Sequence, residues 1–212
     1  VEGFEDRAFL PDIGFDGTHS HWSFQHGMSQ ISWVPGRNGF GLKFIYNGAA
    51  SRRMLNDNFG GATDQCVGSM YIRVPSAPSV QSRFFTIGPS GGATEPGRFD
   101  ILASGVIRAQ ANNGTARDGP NVADDAWHRL DFHLDLSTTT YVLHWAVDGV
   151  NQTDSSEAGQ SAGLQLRRIN YGSSSASHSL TITFDDVVLA DAAGDYKIAN
   201  GAAYHVAMLQ LN

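Results

Sequence analysis

Between residues 124 and 149 the chain alternates with a period of two, and does so twice. Leu130, Phe132, Leu134 and Leu136 interleave with Arg129, Asp131, His133 and Asp135. After Ser137-Thr138-Thr139-Thr140, the apolar positions Tyr141, Leu143, Trp145 and Val147 interleave with His144 and Asp148. Successive side chains of a strand point to opposite faces, so each run is a strand with one apolar and one polar side. The short Thr-rich connection makes the two an antiparallel hairpin.

The rest of the chain repeats this theme in shorter pieces. Runs at 31–34, 40–46, 52–55, 65–74, 83–87, 98–103, 106–111, 164–170, 180–189 and 204–211 predict further strands, separated by turn formers such as Pro35-Gly36, Gly60-Gly61 and Gly88-Pro89. Ser104-Gly105 predicts a two-residue hairpin turn. Residues 1–28 carry no period and read as an irregular segment packed on the domain. With no amphipathic helix in sight, the pattern predicts an all-β fold, a β-sandwich of two antiparallel sheets. A length of 212 residues without a Pro/Ser tract or charge block fits one domain, 1–212. Near the end the apolar phase slips: Leu180, Ile182 and Phe184 occupy even positions, Val187 and Leu189 odd ones. Either a β-bulge lies at Asp185-Asp186, or this is a central strand apolar on both faces.

Charge and cysteine content narrow the function classes. The net charge is −7 and the lysines are Lys43 and Lys197, which argues against a nucleic-acid partner, since phosphates need a basic stripe. No run of apolar residues is long enough for membrane insertion. The single cysteine, Cys66, cannot form a disulfide within the chain and reads as a small buried hydrophobe. His19, His21 and His26 lack the acidic or thiolate partners of a zinc site and read as a loop.

The polar side of the hairpin supplies the candidate ligand site: Arg129, Asp131 and His133, with His144 across the hairpin, and Trp33 and Tyr46 as stacking surfaces. The competing reading is cross-strand pairing on a solvated sheet. Trp127 and Trp145 are expected in the core. Glycoside hydrolysis needs two carboxyls flanking the scissile bond. The four glutamates, Glu2, Glu5, Glu95 and Glu157, form no such pair along the sequence.

The order of Gly39-Phe40-Gly41-Leu42-Lys43-Phe44, the approach from Asp124 to Arg129, the close at Val147-Asp148-Gly149 and the late run from Ile182 to Leu189 resembles the concanavalin A-like, laminin-G-like jelly roll. The ends narrow this. Gly3-Phe4-Glu5 and Gly14-Phe15-Asp16, then Trp22, and at the close Phe184 to Asp191, Gly194-Asp195-Tyr196, Val206 and Leu209, are similar to lectin-like domains of tailed-bacteriophage virion proteins. That resemblance implies a non-enzymatic module of tail or capsid decoration or adhesion, exposed on the virion surface and binding a host-surface glycan. Its partners would be other virion proteins or copies of itself. The alternatives are a purely structural, self-assembling virion protein and a carbohydrate-binding or carbohydrate-active module of a secreted bacterial protein. The Glu-x-Asp-x-x-Glu run of glucanase relatives and the strand signatures of alginate lyase relatives are missing, so no enzyme is expected. Calcium is implied at the sandwich rim, from Glu5, Asp6, Asp185 and Asp186. The competing role for Asp185 or Asp186 is a buried carboxylate tied to backbone N–H groups.

Overall fold

The computed structural model describes residues 22–24, 31–37, 39–47, 52–56, 63–89, 95–166, 168–173 and 178–191. They form two antiparallel sheets and no helix. The smaller sheet runs, edge to edge, through β1 (Trp22–Phe24), β4 (Arg52–Asn56), β14 (Arg168–Ser173), β6 (Ser82–Gly88), β7 (Gly97–Ile101), β8 (Val106–Ala111) and β9 (Arg117–Asn121). The larger runs through β12 (Val150–Asn151), β11 (Thr140–Val147), β10 (Trp127–Asp135), β5 (Gln65–Arg73), β15 (Ser179–Asp191), β3 (Phe40–Asn47) and β2 (Ile31–Pro35), with β13 (Ser155–Ala158) also paired to β11. This is a β-sandwich of two antiparallel sheets, as the alternation predicts.

The hairpin is β10 and β11. Its register sets Phe132 opposite Trp145 and Leu134 opposite Leu143 on the inner side, and His133 opposite His144 on the outer. All four inner residues are buried. Asp148 and Gly149 hold φ of 51° and 78°, the left-handed pair that a two-residue turn into β12 requires. His128 ties this turn to the start of β10. Its Nδ1 lies 2.8 Å from Asp148 Oδ2 and its Nε2 3.0 Å from Asp124 Oδ1. The Arg129 N–H donates to the other Asp148 oxygen at 2.8 Å. The Trp-His and Asp-Gly signature is therefore one contact between a strand start and a turn.

The core is a sheet of rings. Phe84, Phe85 and Phe99 from the smaller sheet meet Phe132, Trp145 and Phe184 from the larger, with centroids 5.3 to 6.1 Å apart. Burying each such side chain stabilises the fold by about 1.5–3 kcal/mol. Phe84 and Phe85 are adjacent, yet both are fully buried, because the register shifts between Arg83 and Phe85. A bulge re-aims the backbone so that two consecutive rings face inward.

The second irregularity lies where the apolar phase slips. The pairing of β15 with β5 shifts between Asp185 and Val188, so the bulge is present. Asp185 is fully buried. Its Oδ2 accepts the Arg37 N–H at 2.6 Å and its Oδ1 the Asp186 N–H at 2.8 Å. A Cβ on Gly36 would stand 2.5 Å from that carboxylate and 2.7 Å from the Gly41 nitrogen, so the turn leading to β3 can close on Asp185 only with glycine there. The Arg37 guanidinium lies 3.9 Å over the Tyr71 ring and donates to Asp186 at 3.0 Å. Asp185 thus holds the bulge to the turn between β2 and β3.

Four expectations are corrected. The turn between β7 and β8 is longer than two residues: Gly105 N–H donates to Leu102 O, Leu102 N–H to Val106 O, and Gly105 takes φ of 83°. A strand absent from the predicted runs, β13, follows Gly149: it pairs with β11, and the Ser155 hydroxyl accepts the Ala111 N–H at 2.8 Å. Trp127 stands opposite Arg73 in the register, on the side of Arg129 and Asp131, and is only partly buried. The segment 1–28, expected to be irregular, contributes β1, paired with β4; its other residues, including the histidines at 19, 21 and 26, and the predicted strand at 204–211 lie outside the described residues.

Candidate functional site

The outer side of the larger sheet brings together Arg129, Asp131, His133 and His144, as the alternation predicts. Most of their polar groups find partners on this side, although the buried Asp131 Oδ2 has none. Arg129 Nε donates to Asp131 Oδ1 at 2.9 Å and to the Ser69 hydroxyl at 3.3 Å. His133 Nε2 lies 3.2 Å from Gln65 Oε1, and His144 Nδ1 2.8 Å from Asp154 Oδ2. The two imidazoles are 5.6 Å apart. Burial, and then the nearness of His144, lower the His133 pKa, so this ring is held neutral. The cross-strand pairing reading describes most of this face.

Trp33 and Tyr46 do not join it. Leu180 and Tyr46 are register partners, and Tyr46 is 3% exposed, in the core. Trp33 sits opposite Leu42 and packs against the same core. Counting one residue at a time along β2 and β3 puts both aromatics on the inner side, where no ligand on the polar face can stack on them.

The outer side of the smaller sheet is a second polar surface. Thr86, Arg98 and Gln110 form one row across β6, β7 and β8, with Asn170 of β14 beside Thr86. Arg83, Asp100, Arg108 and Asp118 form the next. Arg108 and Asp118 make a two-pronged ion pair at 2.6 and 3.0 Å. Asp100 is 1% exposed and accepts from Gln81 at 2.9 Å and Arg83 at 3.4 Å. Arg83 also pairs with Glu95.

Arg98 differs from its neighbours. It donates to Gln110 through Nη2, but its buried Nε has no partner, and the nearest oxygen of Asp100 is 3.9 Å away, beyond hydrogen-bond reach. Burial and then the Arg83 charge lower its pKa. Asn170 is 3% exposed; its amide N–H donates to Thr86 Oγ1 at 2.7 Å, while its Oδ1 is unmet. His178 Nδ1 is likewise buried and unmet, and burial followed by Arg83 lowers that ring's pKa. A buried donor or acceptor left without a partner costs about 1–3 kcal/mol. Here an N–H donor and an amide oxygen are both left so on one row of the smaller sheet.

Sequence reasoning missed this face. Its signal was the alternation of Arg98 and Asp100 with Phe99 and Ile101, and of Arg108 and Gln110 with Ile107 and Ala109. The metal expectation is only partly visible, because Glu5 and Asp6 lie outside the described residues. Both oxygens of Asp185 accept backbone N–H groups, and among the described residues no group of three or more His, Cys, Asp or Glu is placed to hold a metal ion.

No family model and no curated protein matches the chain. Solved structures do match its fold. An endo-β-1,4-glucuronan lyase from the fungus Trichoderma reesei aligns over 80% of this chain and 90% of its own, at 12% identity and a TM-score of 0.60. Trypanosoma rangeli sialidase aligns over 76% of this chain but only 26% of its own, at 15% identity and a TM-score of 0.59. The binding domain of Paraclostridial Mosquitocidal Protein 1 aligns over 80% and 44%, at 11% identity and a TM-score of 0.52. The chain thus spans about a quarter of the sialidase. At these identities the likeness is one of fold. None of these three is a phage virion protein.

The expectation that the chain is no enzyme is overturned by these matches, which include sialidases and a lyase of similar extent. That expectation rested on the absence of paired carboxyls along one strand. The tertiary structure brings Glu95 and Asp100 to the same arginine, Arg83, from a loop and a strand. Strand spacing alone cannot rule out such a pair.

Proposed function

We propose that this chain is a carbohydrate-recognition domain that holds a glycan on the outer face of the smaller sheet. The observation that carries this is the unmet pair there, Arg98 Nε and Asn170 Oδ1, with the unmet His178 Nδ1 near Arg83. Sugar hydroxyls both donate and accept, so one ring can satisfy a buried N–H and a buried amide oxygen together. Further support comes from the company the fold keeps: sialidases, a glucuronan lyase, and botulinum neurotoxin type C, whose entry into cells depends on interaction with two ganglioside molecules.

The test is a glycan array with the 212-residue chain, followed by calorimetry on the best ligand and an assay for new reducing ends. Asn170→Ala and His178→Ala are each expected to weaken binding about tenfold, the loss of one or two buried hydrogen bonds. Arg129→Ala and His133→Ala are expected to leave it unchanged. The reverse pattern would move the site to the larger sheet, and no binding to any glycan would sink the reading. New reducing ends would add catalysis to recognition. A virion-surface setting is a further part of this reading, supported by the opening and closing segments of the sequence. It predicts that the gene lies among tail and capsid genes.

A further inference from the structure

The cation content of the smaller sheet's outer face narrows the ligand. Arg83 and Arg98 stand together here, facing Asp100 and Glu95. The carboxylates are already used: Asp100 accepts from Gln81 and Arg83, and Glu95 pairs with Arg83. Arg108 is answered by Asp118. Arg98 is the half-buried guanidinium of this group without a carboxylate in hydrogen-bond reach, and it stands beside another cation. Its ion pair with Asp100, at 3.9 Å, brings no hydrogen bond to Nε. An anion at Nε would supply that bond in its charge-assisted form, about twice as strong as a neutral one. Asn170, on the same face and reached through Thr86, leaves an amide oxygen that only a donor, such as a sugar hydroxyl, can meet.

We infer that the glycan held on this face is acidic, and that its carboxylate seats on Arg98 while a ring hydroxyl donates to Asn170. This rests on the carbohydrate reading above and specifies its ligand class: a uronic or a sialic acid. The two share a carboxylate on a hydroxylated ring and differ in its position, so both are used as probes.

The experiment compares matched ligands on the wild-type chain by calorimetry. Oligoglucuronate is set against its carboxyl-reduced form, and sialyllactose against lactose. In at least one pair the acidic member is expected to bind about tenfold or more tightly, the increment of one charge-assisted hydrogen bond over a neutral one. The pair that responds identifies the source. Raising the salt should weaken the acidic member and leave the neutral one unchanged. Arg98→Gln should bring the acidic ligand down to its neutral partner, with Arg98→Lys retaining part of the preference as a point charge.

Equal binding of both members of each pair overturns the acidic assignment while leaving a glycan site standing. Binding that persists in Arg98→Gln but falls in Asn170→Ala does the same. No binding by any of the four ligands overturns it outright. The wild-type comparison needs no folded variant, so a destabilised Arg98→Gln does not blunt the test.

Discussion

Arg129 and Arg98 have the same side-chain exposure, 20%, and each stands two residues from an almost fully buried aspartate on its own strand. Arg129 reaches Asp131 at 2.9 Å; Arg98 stops 3.9 Å short of Asp100. The difference lies in what surrounds each pair. On the larger sheet Ser69 adds a hydroxyl to Arg129, and Gln65 and Asp154 answer His133 and His144. On the smaller sheet Asp100 is drawn toward Gln81 and Arg83, which leaves Arg98 with an idle N–H. The first face leaves one buried carboxylate oxygen, Asp131 Oδ2, unmet. The second leaves both a donor, Arg98 Nε, and an acceptor, Asn170 Oδ1, unmet, at a cost in stability.

Mutations can break or sharpen that contrast. The largest effect is expected where the faces share a foundation: Phe132→Ala, in contact with Phe85 and Phe99, should cost about 3–5 kcal/mol in denaturant unfolding. It should also weaken glycan binding, because the strands under the smaller face lose their support. Next comes Asp131→Ala, which strips Arg129 of its carboxylate and should cost about 1–3 kcal/mol without touching glycan affinity. The double change Asn170→Leu with Thr86→Val removes a buried pair and its unmet oxygen together. Stability should stay within about 1 kcal/mol of wild type, since replacing both partners by apolar groups is often nearly neutral. Binding should be lost. A large loss of stability there would mean that the smaller face, too, is built for the fold.

Titration provides a smaller contrast. His133 and His178 have folded-state pKa values below 6.5, so the fold binds fewer protons than the unfolded chain as the pH drops through that value. Their contribution is present above 6.5 and is lost as the pH falls toward the folded values. His128 runs the other way. Burial opposes its cation, but the hydrogen bonds to Asp148 and Asp124 outweigh this and raise its pKa above 6.5. Its contribution is complete below that value and fades as the pH climbs through the folded one. Melting midpoints followed across this range should therefore flatten on the acid side in His133→Gln and on the alkaline side in His128→Gln. The smallest effect concerns calcium. With both Asp185 oxygens on backbone donors, a chelator should move the midpoint by less than about 2 °C, and a larger drop would restore an ion at the rim.

The period of two in 129–136 and 141–147 determined, from the sequence alone, that these residues form a hairpin and which side of it is dry. The slip across Asp185-Asp186 left a bulge or a central strand apolar on both faces, and the pairing of β15 with β5 decided for the bulge. Alternation is a local property and survives in any arrangement of the strands. It does not say which strand lies beside which. The candidate cluster was therefore sought within one hairpin, where neighbours in sequence are also neighbours in space. Asn170 meets Thr86 from 84 positions away, so no window along the chain contains that pair, and Glu95 meets Arg83 from 12 positions away, without a common strand period. The same limit explains Trp33, whose facing depends on the register of β2 against β3, whereas Tyr46 shares the alternation of Leu42 and Phe44 and its inward facing was legible in the sequence. Whether a buried polar atom finds a partner depends on distances of a few tenths of an ångström between strands remote in sequence. Only the tertiary structure decides that, and it is what separates the two faces.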